Sequence, residues 1–297
     1  MLSTSFMKHK ILTGLITLTA LIWLSWSPES NKRKLPQAAD IISCMESEAV
    51  QEYIKESGEW SFASLHPAPL ALNNWQAQGK RISFPAADGK DAQGYYIAPN
   101  KKSKKWLIVI QEWWGLNDQI MAEADKYAAS LGDFNVLAVD LFDGKVAATP
   151  DSAMKYSRSS DPARIATIIK AAITQAGQDA GIYSVGWCFG GMWSLQTAIL
   201  AGKQAKGTIM FYGRPETDIE KLKTIQCDVL GFFGNLDKSP SPEMVNAFEK
   251  SMADIGKPLV THKYEAGHGF ANPSNPRHDA NATADSYSKA IAFLKTH

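Results

Sequence analysis

Apolar runs alternate with helical patterns along most of the chain, beginning near residue 80. An almost unbroken apolar run, KWLIVIQE at 105–112, is typical of a strand that is buried on both faces. Two earlier runs, KRISFPAAD and AQGYYIAP, predict a β-hairpin because polar residues lie between them. Further strands are predicted at 134–142, 181–187, 205–213, 228–237 and 259–267, and helices at 118–131, across 151–177, from 190, at 242–255 and at 282–295. This order predicts an α/β fold with a mostly parallel central sheet and helices on both faces.

The amino terminus has a different pattern. The basic residues KHK at 8–10 precede residues 11–26, a run without any charged side chain. Such a leader predicts an export signal. As a helix the run is roughly 24 Å long, which lies between a cleaved signal peptide and a full membrane span. We therefore expect an exported protein, either periplasmic or attached to the membrane by residues 11–26.

Three segments follow from these patterns. Residues 1–27 are predicted to be the signal peptide or membrane anchor, and residues 28–75 an amino-terminal arm of unknown role with one amphipathic helix near 38–57. Residues 76–297 are predicted to form the α/β domain.

Charge and cysteine content narrow the classes of function. The chain has 31 basic and 30 acidic residues, and this balance gives no reason to expect nucleic acid as a partner. Of its three cysteines, at least one cannot pair within the chain. Cys188 and Cys227 are expected at opposite ends of parallel strands, roughly 20 Å apart and so beyond disulfide reach. Cys227 is then a core residue, while the role of Cys44 stays open.

Three predicted strands end in residues that carry chemistry. Gly186-Trp187-Cys188-Phe189-Gly190 has the pattern glycine, any residue, nucleophile, any residue, glycine, which forms the strained turn below the nucleophile of an α/β-hydrolase. Asp237 ends the predicted strand at 228–237 and His268 follows the one at 259–267, and this is the triad order of that fold. We therefore predict an α/β-hydrolase fold in which Cys188 is the nucleophile, His268 the base and Asp237 its orienting acid.

A fourth group ends the strand at 105–112. Glu112 is either a catalytic carboxylate or a structural one that is hydrogen-bonded, because an unpaired carboxylate at the end of a buried strand is unfavourable. The backbone N–H groups of Phe189 and Trp113 occupy the two positions from which oxyanion donors come in this fold.

The segments QEWWGLN, GWCFGG, GNLD and AGHGF, in this order, resemble the dienelactone hydrolase family, a cysteine-using branch of the α/β-hydrolases. The resemblance covers the chain from about residue 80 onward. It implies a Cys188–Asp237–His268 triad, with the Glu112 carboxylate in contact with the resting thiol, and cleavage of esters or lactones without a metal. Since a nearby carboxylate disfavours a thiolate, we interpret Glu112 as the group that keeps Cys188 protonated until substrate displaces it.

Two departures from the family pattern bear on the substrate. Members that process dienelactones have arginines four residues after the histidine and shortly after a DLY strand end, whereas this chain has Asn272 and, near DLF, Lys145. Without a guanidinium fork, a two-pronged carboxylate contact is lost. We therefore expect a neutral or bulkier ester. Its apolar walls are predicted to be Trp113, Trp114 and Phe142, for which ordinary core packing is the alternative.

The function predicted is a carboxylic-ester or lactone hydrolase that acts on a small molecule through a cysteine acyl-enzyme. A non-catalytic binding protein that retains the fold, and an acyltransferase that uses the same site, stay open as alternatives. Candidate metal ligands occur singly along the chain and not at ligand spacing, so neither a metal site nor a cofactor is expected. The sequence carries no signal for an oligomeric state.

Overall fold

A single mixed sheet organises the structure, which is a computed structural model that describes residues 47–57, 59–63 and 66–297. The sheet has eight strands in the order β1-β2-β4-β3-β5-β6-β7-β8. β1 pairs with β2 and β2 with β4 in antiparallel fashion, and all other neighbours are parallel. The strands are β1 (Lys80–Phe84), β2 (Ala92–Ile97), β3 (Lys105–Ile110), β4 (Asn135–Val139), β5 (Gly181–Trp187), β6 (Ala205–Phe211), β7 (Asp228–Gly234) and β8 (Leu259–Tyr264).

Helices follow most of the parallel strands. They are α1 (Glu48–Glu56), α2 (Trp60–Ala63), α3 (Asp118–Leu131), α4 (Pro150–Ser159), α5 (Pro162–Ala176), α6 (Phe189–Ala201), α7 (Ile219–Lys223), α8 (Pro242–Asp254) and α9 (Ala280–Thr296). α3 contacts α9, whereas α5 contacts α6, which lies against β5 and β6. The mostly parallel α/β-hydrolase sheet predicted from the sequence is confirmed. The short helices α2 and α7 were not predicted, because four or five residues carry too little periodicity.

Burial explains why the sequence patterns were informative. Every residue of β4 is buried, as are all residues of β5 after the first, because helices cover both faces of the central strands. Cys227 lies in this core as a free thiol, as expected.

Three features discussed from the sequence lie wholly or partly outside the described residues. The run at 11–26 and Cys44 are outside them, and so is the start of the helix expected near 38–57, of which α1 is the described part. Within the ranges described here, none of the helices is long and apolar enough to cross a membrane.

The turn after β5 is fixed by close backbone contacts. Cys188 has φ 54° and ψ −114°, a conformation that is costly for a residue with a side chain. A Cβ atom on Gly186 would overlap the backbone carbonyl of Gly190, and one on Gly190 would overlap the carbonyls of Ile110 and Gln111. The two glycines are therefore required for the strand and the following helix to approach closely enough.

The described part of the arm is docked on the domain. The buried guanidinium of Arg214 donates to Glu52 at 2.5 Å and to Glu56, both on α1. At the start of the helix, Ser47 caps it and donates to Glu216 at 2.8 Å. The arm is thus held by buried polar contacts as well as by apolar packing.

Replacing Gly190 by alanine is expected to destabilise the fold by about 3 kcal/mol or more, because the added methyl group meets backbone that has little room to move. Gly256→Ala is the matched control: it has a positive φ of 67° but open space around the Cβ position, so it should cost only about 1–2 kcal/mol. Urea unfolding measures both values, and equal losses would show that crowding at the turn is not what requires Gly190.

Candidate active site

Cys188 lies at the amino end of α6, directly after β5. Its side chain is only 3% exposed. Burial raises the pKa of the Cys188 thiol; the charge of His268 and the backbone N–H of Phe189 lower it in part, and the negative charge of Glu112 raises it further. The resting sulfur therefore favours the protonated form.

Asp237 and His268 form the hydrogen-bonded pair that the sequence predicted. Nδ1 of His268 lies 2.8 Å from Oδ2 of Asp237, and both residues are 5% exposed. Because a carboxylate only accepts, Nδ1 carries the proton. Burial alone would lower the pKa of His268, but Asp237 and Cys188 outweigh it and hold that pKa well above its ordinary value.

The loop that carries His268 is held by a side-chain amide. Nδ2 of Asn275 donates to the backbone carbonyl of His268 at 2.9 Å. Nε2 of His268 is buried and has no hydrogen-bond partner in the described part of the chain. A ring nitrogen of His268, the sulfur of Cys188 and a ring nitrogen of His66 all lie within 4.8 Å of one another. The three elements of the predicted triad are therefore brought together.

His66 is a member of the site that the sequence did not reveal. Its Nε2 lies 3.2 Å from the Cys188 sulfur, and its Nδ1 lies 2.8 Å from the backbone oxygen of Phe62. The ring stacks on Phe62 at 4.2 Å and meets the His268 ring at 4.7 Å between centroids. Burial, together with the charge of His268, holds the pKa of His66 well below its ordinary value, so this imidazole is neutral.

No local pattern marks His66, because a single histidine in a segment without strand periodicity carries no signal. The described part of the arm, whose role the sequence did not indicate, therefore lies over Cys188. Tyr53 on α1 is fully buried there, and its ring lies 5.4 Å from that of Phe189. Phe62 lies 5.3 Å from Trp113, between centroids.

Glu112 has different partners from those expected. Its carboxylate accepts from Nδ2 of Asn272 at 3.0 Å and from the hydroxyl of Tyr212 at 3.4 Å. The expected direct contact with the resting thiol is absent, since the hydrogen-bond partner of that sulfur is His66. Burial raises the pKa of Glu112, and the charge of His268 with the two hydrogen bonds offsets part of that effect. Glu112 therefore acts on Cys188 through charge rather than through contact.

The residues predicted to contact substrate lie in different surroundings. Trp113 is buried beside the thiol and lies 4.9 Å from the His66 ring, whereas Trp114 packs behind Trp113 at 5.2 Å. Phe142 packs on Phe189 at 5.4 Å. Lys145 is exposed, and its ammonium group lies 5.7 Å from the ring of Tyr156. The structure therefore places Lys145 at the surface and not with the triad.

Two cavities adjoin these groups. One, of about 110 Å³, is lined by Glu112, Trp187, Tyr212 and Asn272 among others. The other, of about 580 Å³, lies at the surface beside Asp237 and His268, and Arg277 is part of its lining. Cys188 lines neither cavity, because the arm lies over it.

His66, Cys188 and His268 bring three potential ligand atoms together. The sequence argument against a metal site relied on spacing along the chain, in which these residues are far apart. In the structure they form a buried group with one sulfur and two imidazole donors, which is a donor set that suits a transition metal.

The strand order, with a cysteine, an aspartate and a histidine at successive positions along one edge of the sheet, defines an α/β-hydrolase fold. The profile of the dienelactone hydrolase family matches residues 92–297, more than half of the chain. The protein belongs to the dienelactone hydrolase family and is a carboxylic-ester hydrolase of that type.

Individual relatives are distant but cover most of the chain. Carboxymethylenebutenolidase of Pseudomonas sp. (strain P51) is 26% identical over 232 residues, which are 72% of this chain and 94% of that protein. Protein usf of Aquifex pyrophilus is 24% identical over 238 residues, 74% of this chain and 99% of that protein.

Solved structures agree on the fold. The dienelactone hydrolase-like promiscuous phosphotriesterase P91 from metagenomic libraries has a TM-score of 0.61 at 23% identity, covering 74% of this chain and 98% of its own. Dienelactone hydrolase from Anabaena variabilis has a TM-score of 0.56 at 14% identity, and the match covers 74% of this chain and 99% of that protein. The matched regions leave out about a quarter of this chain.

Removing the charge of Glu112 is expected to lower the pKa of the Cys188 thiol, because a like charge nearby disfavours the thiolate. The alkylation of Cys188 by iodoacetamide in Glu112→Gln should therefore reach its half-maximal rate at a lower pH than in wild type. Peptide mass spectrometry across a pH series separates this cysteine from the others. Glu243→Gln, which removes an exposed charge on α8, is the control and should leave the profile unchanged. A Glu112→Gln profile equal to wild type would contradict the electrostatic role.

Proposed function

We propose that the protein hydrolyses a neutral carboxylic ester or lactone through an acyl-enzyme on Cys188. The observation that carries this proposal is the convergence of Asp237, His268 and Cys188 in a buried site at the carboxyl edge of the sheet. Family membership supports the hydrolytic reaction, and the residue roles are inferred from the geometry.

In the first half of the reaction, His268 in its neutral form accepts the proton of the Cys188 thiol at Nε2, and the sulfur attacks the carbonyl carbon. The carbonyl oxygen becomes an oxyanion, which we expect the backbone N–H groups of Phe189 and Trp113 to stabilise. The intermediate then collapses to a thioester, and the leaving alkoxide takes the proton from His268.

Water completes the cycle. His268, oriented through Nδ1 by Asp237, takes a proton from water as its oxygen attacks the thioester. Collapse of the second intermediate releases the carboxylic acid and the Cys188 thiolate, which regains its proton. The charge of Glu112 favours that protonated resting state.

Substrate entry requires a change at the arm. His66 occupies the hydrogen-bonding side of the sulfur, and Cys188 is almost fully buried. An ester carbonyl reaches the sulfur only after His66 has moved away. We therefore include displacement of the segment with Phe62 and His66 in the proposed cycle.

The acyl group is proposed to be uncharged. The cavity of about 110 Å³ has Glu112 and Glu123 in its lining and no lysine or arginine among its lining residues. The amide of Asn272 is already bonded to Glu112. A substrate carboxylate placed there would face like charge without a cationic partner.

We also propose that the protein acts outside the cytoplasm. The support for this is the uncharged run at 11–26 with its basic flank.

Cys188→Ala is expected to lower kcat for p-nitrophenyl esters by at least about 10³-fold, because no other group can form the acyl-enzyme. His268→Gln should lower kcat to a similar extent, and intact-protein mass spectrometry should detect no accumulated acyl adduct, because His268 removes the thiol proton in acylation as well as the water proton in deacylation. Cys227→Ala removes the other buried thiol of the described chain and should keep the wild-type rate. Full activity in Cys188→Ala would refute the mechanism.

The same assay separates the alternatives. Preferred transfer of the acyl group to an added alcohol, in competition with water, would indicate an acyltransferase. If none of the p-nitrophenyl esters is hydrolysed and none labels Cys188, the result would indicate a binding protein.

Substrate charge gives a separate prediction. For a pair of esters that differ only in a methyl ester or a free carboxylate on the acyl chain, kcat/KM should favour the neutral member at least about tenfold, which corresponds to about 1.4 kcal/mol. Glu112→Gln should reduce this ratio, since it removes a like charge from the cavity. A wild-type preference for the free carboxylate would show that the acyl group binds elsewhere, next to a cation.

A further inference from the structure

Three donor atoms converge below the arm. Nε2 of His66 lies 3.2 Å from Sγ of Cys188, and all three ligand atoms, including that of His268, lie within 4.8 Å of one another. The three residues are between 3% and 5% exposed. Zinc bonds of about 2.0–2.3 Å in a tetrahedron separate neighbouring ligand atoms by roughly 3.3–3.7 Å. Small movements of the two rings therefore reach coordination geometry.

Each imidazole is oriented by a hydrogen bond from its other nitrogen. His66 donates from Nδ1 to the carbonyl of Phe62, and His268 donates from Nδ1 to the carboxylate of Asp237, both at 2.8 Å. Metal-binding histidines are characteristically held in this way, because the bond fixes the tautomer and directs the lone pair of Nε2 at the metal. Nε2 of His268 is buried and lacks a hydrogen-bond partner among the described residues, so it points to a ligand that completes the site.

The local charge also suits a cation. The thiolate that a metal requires, together with the buried carboxylates of Asp237 and Glu112, carries more negative charge than a divalent ion neutralises. The positive charge of Arg277, which reaches His66, opposes the ion in part. Two imidazoles and a thiolate are borderline to soft donors, which favours zinc-class ions over magnesium or calcium.

We propose that His66, Cys188 and His268 form a binding site for a zinc-class divalent cation, in which the arm supplies one of the three ligands. Binding replaces the proton on the Cys188 sulfur, and any proton on Nε2 of His268, and these protons pass to solvent. The fourth position of the tetrahedron is left to water. Since the sulfur lone pair is then bound to the metal, metal loading and attack on an ester exclude one another.

The site does not depend on the hydrolytic proposal, because binding is measured without substrate. Co²⁺ reports on it directly, as a cobalt–thiolate bond absorbs in the near ultraviolet and a tetrahedral site gives visible bands. Full-length protein titrated with Co²⁺ should show both features at one ion per chain, and Zn²⁺ should displace the Co²⁺. Spectra that lack the thiolate band at saturation would overturn the proposal.

Variants assign the ligands. Cys188→Ser should lose the thiolate band, and His66→Gln should weaken Zn²⁺ binding by at least about 100-fold, because loss of a direct ligand exceeds the 10- to 100-fold effect of losing an outer contact. His262→Gln, on strand β8, and Cys227→Ala are matched controls that should bind as wild type does. Unchanged affinity in His66→Gln would show that the arm is not part of the site.

A measurement on wild type covers the case in which a variant does not fold. X-ray absorption at the zinc edge of zinc-loaded protein should give one sulfur and two imidazole ligands. One sulfur with a single imidazole, or oxygen and nitrogen ligands alone, would contradict the three-residue site. Zn²⁺ is then expected to inhibit ester cleavage in wild type, and inhibition of His66→Gln should require a higher Zn²⁺ concentration. A protein that binds Co²⁺ but cleaves no ester would refute only the hydrolytic proposal.

Discussion

The backbone turn at Cys188 is the constraint on which the site depends. A residue with a positive φ at the end of a buried strand is held there only because Gly186 and Gly190 let strand and helix come together. This close packing directs the sulfur out of the sheet plane, at the amino end of α6. Asp237 and His268 can then arrive from loops after β7 and β8, because parallel neighbours end at the same edge. The chemistry thus depends on a feature of the backbone rather than on any one side-chain contact.

The amino-terminal arm distinguishes this site from an open hydrolase site. In an open hydrolase site the nucleophile faces substrate, but here the sulfur faces the imidazole of His66. The segment is not loosely placed, because α1 is joined to the buried Arg214 through Glu52 and Glu56. Surface ion pairs contribute little to stability, yet the Arg214 guanidinium is only 8% exposed and would lose both of its carboxylate partners if α1 departed. Movement confined to the segment around Phe62 and His66 avoids that loss.

The sequence was sufficient for the sheet, for most helices and for bringing Cys188, Asp237 and His268 to one edge, and the reason is physical. Fully buried strands such as β3 and β5 must be apolar, and the tight turn at Cys188 must have glycines, so each leaves a local signature. His66 could not be found in this way, since its position comes from how a segment without periodicity packs, 122 residues away from Cys188. The predicted contact between Glu112 and the Cys188 thiol was wrong for a related reason. Tyr212 and Asn272 bind the Glu112 carboxylate instead, and only the three-dimensional structure shows which of these groups come within reach.

Burial of the sulfur has a consequence for its chemical lifetime. Thiols are lost to peroxide in proportion to their thiolate character and their access to solvent, and both are low for Cys188. The segment that carries His66 therefore acts as a shield against sulfenic acid formation as long as it stays in place. Any opening that admits an ester also admits an oxidant, so the proposed movement of His66 would expose the sulfur to both.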